Sequence, residues 1–139
     1  MTQKFYKVTD SLLRSADNQC NEFYVQYIMN EWVKPVLKYS KLFVFNNLKS
    51  AITFASFCET FFPKNLSAKL FYGYKEMRIF ECEVKNPRKL LVICNATHLF
   101  KEFWISRHHK QKMPATRIPA PKNTYQVDEI KLVQEIEKW

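Results

Sequence analysis

The sequence predicts an α+β fold: a small, mostly antiparallel sheet with one principal packed helix and a C-terminal helix. Three observations carry this expectation. Short runs rich in aromatic and β-branched residues recur at 4–8, 22–28, 42–45, 77–84 and 89–94. Between the third and fourth of these, apolar residues return at helical spacing over 48–61. The chain has 139 residues, 47% hydrophobic and 16% aromatic, which is enough apolar surface for one packed core.

Lys4-Phe5-Tyr6-Lys7-Val8 has strand composition. Asp10-Ser11-Leu12-Leu13-Arg14-Ser15 reads either as a short helix capped by Asp10 or as a continuing bent strand. Glu22 to Ile28 reads as a second strand, and Pro35 holds Lys34 extended in the loop that follows. Leu42-Phe43-Val44-Phe45 is a short apolar strand, and Asn46-Asn47 supplies turn chemistry and an N-cap. Leu48, Ala51, Ile52, Ala55 and Cys58 then share one helix face, directed at the sheet that contains Val44, and Pro63 stops the helix.

Ala68 to Tyr72 reads as a strand with Gly73 at its turn, Met77 to Val84 as a longer strand, and Lys89 to Cys94 as another after the Asn86-Pro87-Arg88 turn. Thr97 caps a helix through Trp104 whose buried side is Leu99, Phe100, Phe103 and Trp104. Pro114, Pro119 and Pro121 mark an extended arm. Ile130, Val133 and Ile136 recur every three residues behind an acidic first turn, Asp128-Glu129, which reads as a final helix. The organisation expected is therefore an α+β globular domain over 1–105, a basic proline-rich arm over 106–126 and a C-terminal helix over 127–139.

Gly73 is the only glycine. Loops that cradle phosphate need several glycines so that the backbone can turn tightly and approach the anion. No P-loop, dinucleotide-binding or nucleophile-elbow motif can be drawn through one. The runs 42–45 and 90–94 fall far short of the roughly 20 apolar residues of a membrane span. The opening Met1-Thr2-Gln3-Lys4-Phe5-Tyr6 lacks the apolar stretch of a signal peptide. The expectation is a protein neither secreted nor in a membrane. The sequons at Asn65 and Asn95 are then chance matches.

The formal charge is +9, unevenly distributed. Residues 1–60 carry seven Lys/Arg against five Asp/Glu, residues 61–125 thirteen against four, and residues 126–139 two against four. Basic charge in the second half points to a polyanionic partner, nucleic acid above all, although lysine also serves solubility. The arm concentrates the signal. Arg107, His108, His109, Lys110, Lys112, Arg117 and Lys122 lie on it with no acidic residue, and Trp104 and Tyr125 flank it as stacking candidates. Its prolines equally suit a segment docked on a protein surface, including that of a virion or complex.

Val25-Gln26-Tyr27, Glu31-Trp32-Val33-Lys34-Pro35, Leu42-Phe43-Val44-Phe45, Ala51, Phe54-Ala55 and Phe80-Glu81-Cys82-Glu83-Val84-Lys85-Asn86-Pro87 form a pattern. It resembles a family of small uncharacterised proteins from viral, phage and microbial genomes. The likeness spans roughly residues 4–93, and the chain departs from the pattern in lacking glycine around Met29-Asn30 and before Lys41. The resemblance implies a viral or phage accessory protein, placed in host cytoplasm or virion, and no particular chemistry.

The order of elements is also similar to that of compact ADP-ribosyltransferase-like domains. Those bind NAD with an early His or Arg, a central Ser or Tyr and a late Glu. That likeness implies Arg14, Tyr27 or Ser40, and Glu81 or Glu83 as catalytic candidates, with NAD as the alternative cofactor. Glu81 and Glu83 alternate with Phe80, Cys82 and Val84, so they also read as the polar face of a half-buried strand.

Cys94 and His98, with Cys82, offer three metal ligands and no C-x-x-C pair, so no metal site is expected. The three histidines, His98, His108 and His109, give nucleophilic catalysis no sequence-local partner. The reading is a protein that binds nucleic acid or a protein partner through a basic arm and needs no cofactor. The alternatives are an NAD-binding transferase-like domain, active or degenerate, and a virion structural component. Cys20, Cys58, Cys82 and Cys94 should all be free thiols in a reducing compartment. Alkylation of the denatured, unreduced chain should label all four, and a pair that reacts only after reduction would overturn that expectation.

Overall fold

A computed structural model describes residues 3–15, 25–61, 77–94, 100–111, 117–137 and 139. Among these residues, nine strands and two helices run in the order β1 (Phe5–Asp10), β2 (Trp32–Val33), β3 (Leu42–Phe45), α1 (Leu48–Phe61), β4 (Met77–Lys85), β5 (Arg88–Lys89), β6 (Val92–Cys94), α2 (Phe100–His108), β7 (Arg117–Pro119), β8 (Thr124–Val127) and β9 (Glu129–Ile136). Seven strands form one sheet in the order β2-β9-β4-β1-β3-β8-β5, and β6 pairs with β7. Every pairing among the described strands is antiparallel. The chain is α+β.

The connectivity closes the sheet. Central β1 pairs with β3 on one side and β4 on the other. β3 pairs with β8 and β4 with β9, while β8 and β9 are one run broken only at Asp128. The strands thus form a ring, and Asp128 is its corner. Its amide donates to Lys85 O, and its carboxylate accepts from the Lys41 ammonium and from Asn86 Nδ2 at 2.7 Å. Those two hydrogen bonds hold the carboxyl below the usual aspartate range.

Inside the ring pack Phe5, Leu42, Val44, Phe80, Cys82, Val127, Ile130 and Leu132, with Val25 and Tyr27 entering from the segment after residue 24. Tyr27 N donates to Leu13 O and Ser15 N to Val25 O, which ties that segment to the turn after β1. In that turn the buried Asp10 carboxylate accepts from the amides of Leu12 and Arg14, both at 2.9 Å. Of the two sequence readings there, the bent strand is the one that forms, through the Thr9–Ser15 bridge.

The outer face of β1, β3 and β4 carries α1. Ala51, Ala55 and Cys58 are buried against Val8, Phe45, Met77 and Ile79, with Leu48 and Ile52 at the margin. Asn47 is the N-cap, accepting from Ser50 N at 3.1 Å. The helix rests on the strand that contains Val44, but Val44 itself points into the ring, and Phe45 meets the helix. Pro63, Ala68–Tyr72 and Gly73 lie outside the described residues.

Three expectations are corrected. The C-terminal helix over 127–139 is instead the strand β9. A bulge lies opposite Glu81/Cys82: Leu132 pairs with Cys82 and Gln134 with Glu81, leaving Val133 extra. Ile130 therefore faces the ring and Ile136 the helix layer, and the bulge turns a period of two into an apparent period of three. The arm over 106–126 does not run as one extended segment, because α2 continues to His108 and 117–119 and 124–127 are paired strands. In the expected strand over 22–28, the pairing described is a single bridge, Arg14 to Gln26.

Lys7 is an interior exception. It points into the apolar ring, donates to Phe43 O at 2.8 Å and lies 5.4 Å from the Tyr27 ring centre. Burial lowers its pKa from 10.5 to about 8. The same desolvation pushes the Cys82 thiol up to about 12 and raises the Tyr27 phenol. Between pH 8 and 10.5 the unfolded chain holds the Lys7 proton and the folded chain does not, so this residue makes stability rise with pH across that window. The full effect is roughly 3 kcal/mol. In chemical unfolding at pH 7 and pH 10, Lys7→Met should lose this rise relative to the parent and be at least as stable at pH 7. A variant several kcal/mol weaker at pH 7 would show that the bond to Phe43 O outweighs the cost of burying the charge.

Candidate nucleic-acid interface

α2 ends in a cap that normally uses glycine. Gln111 N donates to Ser106 O at 2.8 Å and Lys110 N to Arg107 O at 3.3 Å, which is a Schellman pair. Lys110 takes the left-handed position at φ 57°. In a chain with one glycine, left-handed sites fall to other residues, and Asn30, Asn86 and Asn123 fill three of them. Lys110 and Tyr39, at φ 70°, have no side chain suited to the role.

These two residues flank the same spot. The turn at 37–40 is closed by Ser40, whose amide (3.1 Å) and hydroxyl (2.6 Å) both donate to Leu37 O. The turn presents the Tyr39 ring to the end of α2. Tyr39 and His108 stack with centroids 3.8 Å apart and planes 15° from parallel. His109 stands edge-on to both, 5.7 Å from Tyr39 and 5.0 Å from His108. The Lys38 ammonium lies 5.0 Å from the Tyr39 centroid. Arg107, on the last turn of α2, is half-buried, and desolvation lowers its pKa. His108, His109 and Lys110 are exposed.

The charges sort by location. Around the ring of strands, Lys4 pairs with Glu81, Arg14 with Asp10, Lys41 with Asp128, Arg78 with Glu135, Lys85 with Glu129 and Lys131 with Glu83. Among the described residues no carboxylate pairs with Lys38, Arg107 or Lys110. The helix adds the negative end of its dipole, which favours cations at this terminus.

The other sequence candidates are elsewhere. Trp104 is 1% exposed, packed against Phe103 and against Phe43 of β3, so it is a core ring with no face for a base. Tyr125 sits half-buried against Phe5, edge-on at 5.7 Å. Lys122 is exposed in the turn before β8. Arg117 belongs to β7 by its backbone, and Lys112 lies outside the described residues.

The transferase-like candidates do not gather on one face. Tyr27 is inside the ring, while Glu81 and Glu83 point away from Phe80, Cys82 and Val84 into their ion pairs with Lys4 and Lys131. Arg14 binds the Asp10 carboxylate at 2.8 Å, and Ser40 closes its turn. No group of three or more potential metal ligands occurs among the described residues, and His98 lies outside them. No helix among them is long and apolar enough to cross a membrane.

No family model matches the chain, and no curated protein or solved structure is significantly similar to it. The likeness to small viral and phage proteins and the likeness to transferase domains rest on the residues quoted for them alone.

Lys38 and Tyr39 were not found from sequence. The only local sign is a basic–aromatic pair in a loop, which carries no information about the distant end of α2. Trp104→Ala tests the corrected role of that ring. It should cost about 3–5 kcal/mol in a thermal or urea melt, as expected for a buried tryptophan. An unchanged melt would return Trp104 to the surface as a stacking candidate.

Proposed function

We propose that this protein acts by binding nucleic acid, gripping the phosphate backbone at the junction of the 37–40 turn and the end of α2. One observation supports this above the others: Tyr39, with Lys38 beside its ring, meets His108 and His109 next to the exposed Lys110, and neither lysine has a carboxylate partner among the described residues. Six basic side chains around the ring of strands are held by carboxylates, whereas Lys38, Arg107 and Lys110 have no carboxylate partner among the described residues and lie in segments that carry aromatic rings. Lysine and arginine bind phosphate by displacing condensed counterions, a contribution that needs no base recognition and falls with salt. Trp104 is buried and Tyr125 half-buried, so this reading rests on the first residues of the expected arm together with the 37–40 turn.

The test is salt-dependent binding of a fluorescent oligothymidylate. The parent should bind at low salt with a steep loss of affinity as salt rises. Replacing Lys38 and Lys110 together by alanine should lower the slope of log K against log salt by about 0.7 for each phosphate that is no longer neutralised. A parent without binding at low salt, or a double variant with an unchanged slope, would overturn the proposal.

A further inference from the structure

We infer that this site selects single-stranded nucleic acid over duplex, with an unpaired base stacking at the corner formed by His108 and His109; the inference rests on the nucleic-acid reading above. The geometry is that of a platform with a wall. His108 lies flat on Tyr39, so one ring braces the other, and His109 stands at 80° to His108 and 71° to Tyr39. Both histidines are exposed, whereas Tyr39 is half-buried beneath. The Schellman cap at Lys110 fixes the backbone that carries them, and the turn closed by Ser40 fixes Tyr39. The rings are therefore ordered before any ligand arrives.

An aromatic platform beside cations that have no carboxylate partner among the described residues fits one class of polyanion better than the rest. Bases in a duplex are stacked on each other and offer only their edges in the grooves. An unpaired base exposes a π-face, which stacks on aromatic rings without regard to sequence, while the adjoining phosphates reach the lysines. Lys38 and Lys110 belong to the two chain segments that build the ring cluster, each next in sequence to one of its rings. The exposed Trp32 does not compete, because Lys85 and Lys131 lie over its ring at 4.5 and 5.3 Å and each is held in an ion pair, and the exposed Phe57 lies on α1, away from this cluster in the chain.

The experiment compares three probes at one low salt concentration: a fluorescent oligothymidylate, a duplex of matching length, and heparin, a polyanion without bases. The parent should prefer the single strand. His108→Ala should weaken oligothymidylate binding about tenfold or more, in line with the loss of one stacked base, and leave heparin binding unchanged. His108→Phe should restore the single-strand affinity, because the platform needs a flat ring more than an imidazole. If the parent binds single strand and duplex alike, or if His108→Ala weakens oligothymidylate and heparin equally or neither, the stacking inference is overturned while nucleic-acid binding stands. If the parent binds neither oligothymidylate nor duplex, the nucleic-acid reading itself is overturned.

Discussion

The corner at Asp128 is the constraint on which the ring of strands depends. A strand that leaves β3 and joins β4 must change direction within one residue, and its broken ladder must be replaced by other partners. Asp128 supplies them from three sides: its amide to the end of β4, its carboxylate to Lys41 at the start of β3 and to Asn86 in the turn after β4. The carboxyl is held in its ionised form by those donors, so the corner is an electrostatic joint as much as a backbone turn. Closure around Phe80, Val44 and Leu132 removes two edges that an open sheet would expose. The remaining edges, β2 and β5, are two residues each, and β5 is Arg88-Lys89, a short charged edge of the kind that resists further pairing.

Lys7 brings an ammonium into the ring, and its chemistry follows from that confinement. An ammonium among Phe5, Tyr27 and Cys82 loses most of its hydration, and one carbonyl plus one aromatic face replace only part of it. The depressed pKa of Lys7 and the raised one of Cys82 are two signs of the same desolvation. Such a site is a cost in stability near neutral pH. A pKa displaced in this way can mark a reactive group, but structural burial perturbs titration as well. The second account fits Lys7, whose ammonium is committed to a backbone carbonyl inside a packed core.

Legibility in the sequence followed the range of the interaction. The strand 42–45, the Asn47 cap and the α1 face are fixed by residues within a few positions of each other, and each forms as the pattern requires. The terminal strand β9 was hidden because its bulge is set by the partner strand: nothing in Ile130-Lys131-Leu132-Val133 announces that Cys82 and Glu81 will face it with one residue to spare. The strand-like alternation of Ile130, Lys131 and Leu132 is present, but it is too short to outweigh the three-residue recurrence around it. In the candidate site, the His108–Lys110 half was legible as a charge run, and the Lys38–Tyr39 half was not. Their meeting depends on a left-handed tyrosine in one turn and a left-handed lysine in another, neither of which residue type predicts.

A left-handed backbone at a non-glycine residue costs of order 1–2 kcal/mol, and it persists only where its surroundings hold it. Besides asparagines, three described residues take this conformation, Leu13 in the turn after β1 and Tyr39 and Lys110 at one small cluster, where the Ser40 turn and the Schellman cap hold the backbone that carries the rings. Neither is needed to bury the core: Lys110 is exposed and Tyr39 half-buried. Strain placed outside the core, on a surface where Lys38, Arg107 and Lys110 have no carboxylate partner among the described residues, adds to the cost of like charges brought together. Two unfavourable terms that coincide at one exposed spot are more simply explained by a ligand that rewards both than by packing that requires neither. An anionic chain with stackable bases would do so, its phosphates compensating the charge and its bases using the ordered rings.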